Sequence, residues 1–158
     1  MIVDILSDLH LDFYFKSHLT TPENVSSFFN PIFTNNSTRT IGDVLIIAGD
    51  IGHYNAQNIE VLKILQKKFY KHIICVLGNH DYYLVNGEAR YTFENNSFKR
   101  IENLRKLINK EKNIYCLDGN IIEIDGIKFG GCDSWYDDSY TKRYFKQFDT
   151  NYINLLWK

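Results

Sequence analysis

Short apolar runs alternate with polar, turn-forming stretches along this chain, and the runs are of two kinds. Ile2–Leu6, Val44–Ala48 and Ile73–Leu77 are nearly continuous, the pattern of strands buried on both faces. Asn58–Tyr70 instead spaces Ile59, Leu62, Leu65 and Phe69 three and four apart, which predicts an amphipathic helix. Ser97–Lys112 predicts another, with Phe98, Ile101, Leu104 and Ile108 on its apolar stripe and Ser97 as N-cap. Its Lys99, Arg100, Arg105, Lys106, Lys110 and Lys112, beside Glu102 and Glu111, read as a solvated face. Ile114–Leu117, Ile121–Ile124 and Ile127–Gly130 are short strands. The Asp125-Gly126 turn between β-branched runs predicts a hairpin. Lys16–Thr40, which holds both prolines (Pro22 and Pro31), reads as an irregular insertion or a broken helix, and the tail from Thr141 as partly helical. The β–α–β order of the first half implies a parallel sheet, and the fold class is α/β.

Composition narrows the function more than the fold. The chain has 158 residues, suited to one domain with its own core. Lys plus Arg total 18 and Asp plus Glu 19, so the net charge of −1 argues against bulk electrostatic coating of nucleic acid or anionic membrane. A local basic patch stays open, and a nucleic-acid partner has no support. No apolar run approaches the roughly 18 residues of a membrane span. The start, MIVDILSDLH, has neither the basic opening nor the apolar stretch of a signal peptide. Cys75, Cys116 and Cys132 are widely spaced and read as reduced thiols, so the expected location is the cytoplasm.

The candidate chemistry lies where the strands end. Ile2–Leu6 runs into Ser7-Asp8-Leu9-His10, Val44–Ala48 into Gly49-Asp50, and Ile73–Leu77 into Gly78-Asn79-His80-Asp81. Ligands of open α/β sheets bind beyond the carboxyl ends of the strands, and each end here delivers Asp, His or Asn. Carboxylate, imidazole and amide donors without thiolate suit a divalent ion such as Mn, Fe, Zn or Mg. Converging carboxylates also call for a cation to offset their repulsion.

Asp8-x-His10, Gly49-Asp50 and Gly78-Asn79-His80-Asp81, in this order, resemble the block motifs of the calcineurin-like metallophosphoesterase superfamily. Gly130-Gly131-Cys132-Asp133-Ser134-Trp135 resembles a later strand-and-loop segment of such domains. The resemblance implies a β-sandwich flanked by helices and metal-dependent hydrolysis of a phosphoester bond. It implies two divalent ions, drawn from Mn, Fe, Zn or Ni. Asp8, His10 and Asp50 would hold the first, with Asp50 bridging to the second, which Asn79 also binds. The implied catalytic residues are His80, at the phosphate and the leaving oxygen, and Asp81, orienting the loop.

Two departures refine that expectation. The family pattern continues with three more histidines, whereas the five here are His10, His18, His53, His72 and His80. Residues 1–158 are therefore expected to be a single domain that is the N-terminal part of a longer one, incomplete at its C-terminal end. The rival reading is a catalytically incomplete metal-binding remnant or an interaction fragment. An open sandwich face is further expected to favour self-association. Gly49-Asp50-Ile51-Gly52-His53-Tyr54 also lacks the acid and arginine that follow Gly-Asp in protein phosphatases. The expected substrate is a small phosphomonoester, phosphodiester or nucleotide-like compound.

Other residues read as structural. His53 is expected on a surface loop, and His18 and His72 are expected to be structural or exposed. Tyr82, Tyr83 and Trp135 are expected to pack, and Asp133–Asp138 either to place acids near the site or to form a polar surface loop.

Overall fold

The computed structural model describes residues 1–16, 20–34, 40–133 and 143. Its elements in chain order are β1 (Val3–Leu6), α1 (Leu11–Tyr14), α2 (Pro22–Thr34), β2 (Val44–Ala48), α3 (Asn55–Lys68), β3 (His72–Val76), α4 (Gly87–Thr92), α5 (Ser97–Ile108), β4 (Ile114–Cys116), β5 (Asn120–Ile124) and β6 (Ile127–Gly131). A 3₁₀ turn, His80–Tyr82, follows β3.

β1 to β4 form a parallel sheet whose spatial order is the sequence order, and β5 and β6 form a separate antiparallel hairpin. Parallel connections are right-handed, so a sheet that grows steadily in one direction puts every crossover helix on the same face. Leu45, Ile47, Ile73, Cys75, Ile114 and Cys116 point to that face and pack with Phe29 and Phe33 of α2, Leu62 and Leu65 of α3, and Leu104 and Ile108 of α5. Alternate residues Val44, Ile74, Ile46, Val76 and Tyr115 point the other way. There they meet Leu117 together with Ile122, Ile124 and Phe129 of the hairpin. The α/β class and the parallel sheet flanked by helices match the expectation.

The insertion is corrected. Residues 22–34 form a single helix with Pro31 inside it, burying Val25, Phe29 and Phe33 at a spacing of four. Pro22 takes its first position, where a missing N–H costs nothing. Phe29 and Phe33 stack at 5.5 Å, and Phe33 meets Tyr70 edge-on at 5.2 Å. Residues 17–19 and 35–39 of the insertion, His18 included, lie outside the described residues, as do Trp135 and, but for Arg143, the tail from Thr141.

The stripe of α5 is corrected too. Phe98 is 73% exposed, whereas Arg100 is 1% exposed beside Ile101, Leu104 and Ile108. The N-cap is Asn96, whose Oδ1 accepts from the Phe98 and Lys99 N–H groups, not Ser97.

Candidate metal centre at the carboxyl edge of the sheet

Parallel registration places the loops after β1, β2 and β3 side by side at one edge. The first two continue as a ladder: Asp8 N–H donates to the Gly49 carbonyl at 3.2 Å, His10 N–H to Asp50 at 3.0 Å and Leu11 N–H to Ile51 at 2.9 Å. The turns are tight enough to force Asp8, His10 and Asp50 into left-handed backbone, with φ of 53°, 43° and 54°. Each such residue costs roughly 1–2 kcal/mol, and in the loops after β1 and β2 the left-handed non-glycine residues are ones that carry the polar side chains.

Glycine is required beside them. A Cβ at Gly78 would stand 2.2 Å from Asp50 Oδ1, so the bare backbone is what lets the Asp50 carboxylate lie against the next loop. Asp50 Oδ1 there accepts the His80 backbone N–H at 2.8 Å.

His10, Asp50 and His80 each bring one donor atom within 4.8 Å of the others. Two ligands on opposite sides of one ion stand about 4 Å apart, so small side-chain rotations close the set. His10 Nδ1 is buried without a hydrogen-bond partner among the described residues. A buried ring nitrogen left in this way costs about 1–3 kcal/mol, which a bound ion would remove. Two imidazoles and a carboxylate are a fitting donor set for a divalent metal.

The remaining expected ligands stand around this trio. Asp8 is exposed and outside it. Asn79 donates its amide N–H to Tyr83 Oη at 2.9 Å, and the Tyr83 ring lies 4.8 Å from that of His80. Tyr83, expected to pack, therefore stands at the site. Tyr82 does pack, and its hydroxyl donates to Asp133.

Asp81 is fully buried, and its carboxylate accepts backbone N–H groups of Asp50 at 3.0 Å, Ile51 at 3.2 Å and Gly78 at 2.9 Å. Burial pushes its pKa above the ordinary carboxylate value, and the Gly78 N–H and the Arg100 charge pull only part of the way back. It ties the second loop to the third. Arg100, expected on a solvated face, locks that junction. Its guanidinium donates to the carbonyls of His80 at 3.0 Å, Tyr83 at 3.1 Å and Gly52 at 2.8 Å, and to that of Asp81.

His53 is not a surface histidine. Its Nδ1 lies 2.9 Å from Asp12 Oδ2, its backbone N–H donates to Asp12 Oδ1 at 3.1 Å, and its Nε2 lies 3.3 Å from His80 Nδ1. Asp12, His53 and Arg100 are the site residues that the motif reading missed. Arg100 had left a signal: it stands four residues before Leu104 and eight before Ile108, on the apolar stripe. Asp12 and His53 are 41 residues apart, and no spacing rule joins them.

Comparison with known proteins agrees with the edge chemistry. The chain matches the calcineurin-like phosphoesterase family over residues 1–158. It is 30% identical over 147 residues to an uncharacterized protein of Acanthamoeba polyphaga mimivirus, covering 89% of this chain and 46% of that protein. The chain thus spans about half the length of this curated relative. It belongs to the calcineurin-like phosphoesterase family, whose members use divalent metal to hydrolyse phosphoester bonds.

Proposed function

We propose that this member of the family contributes the metal-holding half of a two-ion hydrolase for small or nucleotide-like phosphoesters. The observation that carries the reading is the His10–Asp50–His80 group at the carboxyl edge, its donors within 4.8 Å of one another. In this reading Asp8, His10 and Asp50 hold one divalent ion (Mn, Fe, Zn or Ni). Asp50 and Asn79 take part in holding a second. Bound ions of this kind neutralise phosphoryl charge and lower the pKa of water toward neutrality.

The chain's own residues do the rest. The tie between Asp81 and the backbone of the second loop fixes Asp50 relative to His80. In this reading His80, though it stands in the same group as His10 and Asp50, holds no ion and exchanges a proton with the leaving oxygen. A cleft of ≈ 250 Å³ lined by His53, Tyr54, Asn55, Phe93 and Leu107 reaches the site only through His53, whose ring neighbours His80, and in this reading it would take the outer part of a small substrate.

A second reading, a metal-binding remnant without turnover, draws on the donor count. Each of two ions needs about four to six ligands, and the proposed residues fall short of that number. The experiment is hydrolysis of nitrophenyl phosphate mono- and diesters with Mn²⁺ added, compared with Asp50→Asn, alongside calorimetric titration of Mn²⁺. Metal-dependent turnover that the variant loses is expected. Mn²⁺ binding that needs Asp50 without any turnover would favour the remnant, and turnover indifferent to both metal and Asp50 would discard both readings.

A further inference from the structure

We propose that Asp12 and His53 are positioning residues that write the tautomer of His80, through a carboxylate–imidazole–imidazole chain. The inference rests on the reading above for its purpose, but its geometry stands on hydrogen bonds within the chain itself.

The chain can be followed atom by atom. A carboxylate only accepts, so the 2.9 Å contact of Asp12 Oδ2 with His53 Nδ1 puts the His53 proton on Nδ1. The second oxygen of Asp12 accepts the His53 backbone N–H at 3.1 Å, so the carboxylate grips main chain and ring together. The two side chains are only 12% and 11% exposed, and water competes weakly for the pair. A neutral His53 with its proton on Nδ1 has a lone pair on Nε2. That lone pair faces His80 Nδ1 at 3.3 Å, so His80 in turn carries its proton on Nδ1. Nε2 of His80 is then the nitrogen left to serve the group it forms with His10 and Asp50, and it serves it as a lone pair. His80 thus enters as an acceptor and becomes a donor only after taking up a proton.

Among the described residues the His80 ring has no other side-chain hydrogen bond that would choose its tautomer. Its neighbours His10, at 4.7 Å, and Tyr83, at 4.8 Å, are ring contacts that limit tilt without choosing a tautomer. Orientation of a site histidine by a carboxylate acting through its far nitrogen is a general device. Here an extra imidazole lengthens it by one link.

The test reads ring nitrogens by long-range ¹H–¹⁵N correlation in the metal-free chain, at a pH well above the ordinary imidazole value of about 6.5. The wild-type chain should show His53 and His80 both as Nδ1–H. In Asp12→Asn the amide oxygen stays with the His53 backbone N–H, and the amide NH₂ faces the ring. Both histidines should then switch to Nε2–H, while His72, far away at the start of β3, is unmoved. In His53→Phe the link is cut, and His80 should lose its single tautomer and show a mixture. A wild-type His80 in the Nε2–H form overturns the proposal. So does an Nδ1–H His80 that survives either variant, and if Asp12→Asn fails to fold, His53→Phe decides alone. Because no turnover is needed, a chain that hydrolyses nothing but shows the switch keeps the relay and loses the enzyme reading, whereas turnover with an indifferent tautomer does the reverse.

Discussion

The two faces of the parallel sheet are finished differently. Under the helices, Leu45, Ile47, Ile73 and Cys75 join one large cluster with residues of α1, α2, α3 and α5. On the opposite face the hairpin covers Val44 and Ile74, and toward β1 it leaves Val3 37% and Ile5 65% exposed. The residues that brace the site come from the well-packed side. Arg100 reaches it from α5, Asp12 from α1, and Asn58 of α3 donates to the Gly52 carbonyl at 2.8 Å. A strained set of loops is held where the packing behind it is densest, and the thinner face carries little of that duty.

Chemical labelling should expose the contrast most strongly. Cys75 and Cys116 lie on the helix-covered face, and burial raises both thiols, Cys116 to about 11. Cys132, just past the hairpin, is exposed. Iodoacetamide at neutral pH, followed by peptide mass spectrometry, should modify Cys132 at least on the order of a thousand times faster than the other two. Their labelling waits on unfolding. Comparable rates at all three would break the comparison.

Arg100→Met comes next. It takes the guanidinium away from the carbonyls of His80, Asp81 and Tyr83, leaves Gly52 to Asn58 alone, and should cost about 3–5 kcal/mol in urea unfolding. A loss below 1 kcal/mol would show that the loops hold themselves.

Asp12 gives a smaller, pH-dependent effect. Burial pushes its carboxyl up, but the hydrogen bonds from the His53 ring and backbone outweigh that and leave it below its ordinary value. A lowered folded-state value contributes stability above the unfolded value of about 3.9, and this is lost as pH falls through the folded value. The acid limb of a stability-versus-pH curve should therefore be shallower in Asp12→Asn than in the wild-type chain. Equal slopes would sink this account.

The smallest effect should be Ile5→Lys on the open face, within about 0.5 kcal/mol of the wild-type chain. The same variant checks the expected self-association. Sedimentation at rising concentration should shift the wild-type chain to larger species and leave the variant unchanged.

Much of this arrangement could be read in the sequence because it is local. The runs VLIIA and IICVL, followed at once by Gly-Asp and Gly-Asn-His-Asp, state both a buried strand and the polar edge it points to. What escaped was set by tertiary contact. Pro22 and Pro31 masked the spacing of Val25, Phe29 and Phe33, which one helix satisfies once Tyr70 and Phe69 offer a surface for it. Arg100 has the composition of a solvated face and the position of a core residue. Position won because four carbonyls converge on it. His53 and Asp12 find each other only when the loops after β1 and β2 run side by side.

The sheet's order has a consequence for how the molecule is made. Its strands lie in space as they leave the ribosome, first to last, so each new strand docks on an edge already present and none must be threaded between neighbours. At about 5–20 residues per second, the interval between Asp8 and His80 emerging is on the order of several seconds. Through that interval the loop after β1 has no third loop to meet. Arg100 comes out 20 residues behind His80, so the fastening of the junction is also among the last parts of it to be synthesised.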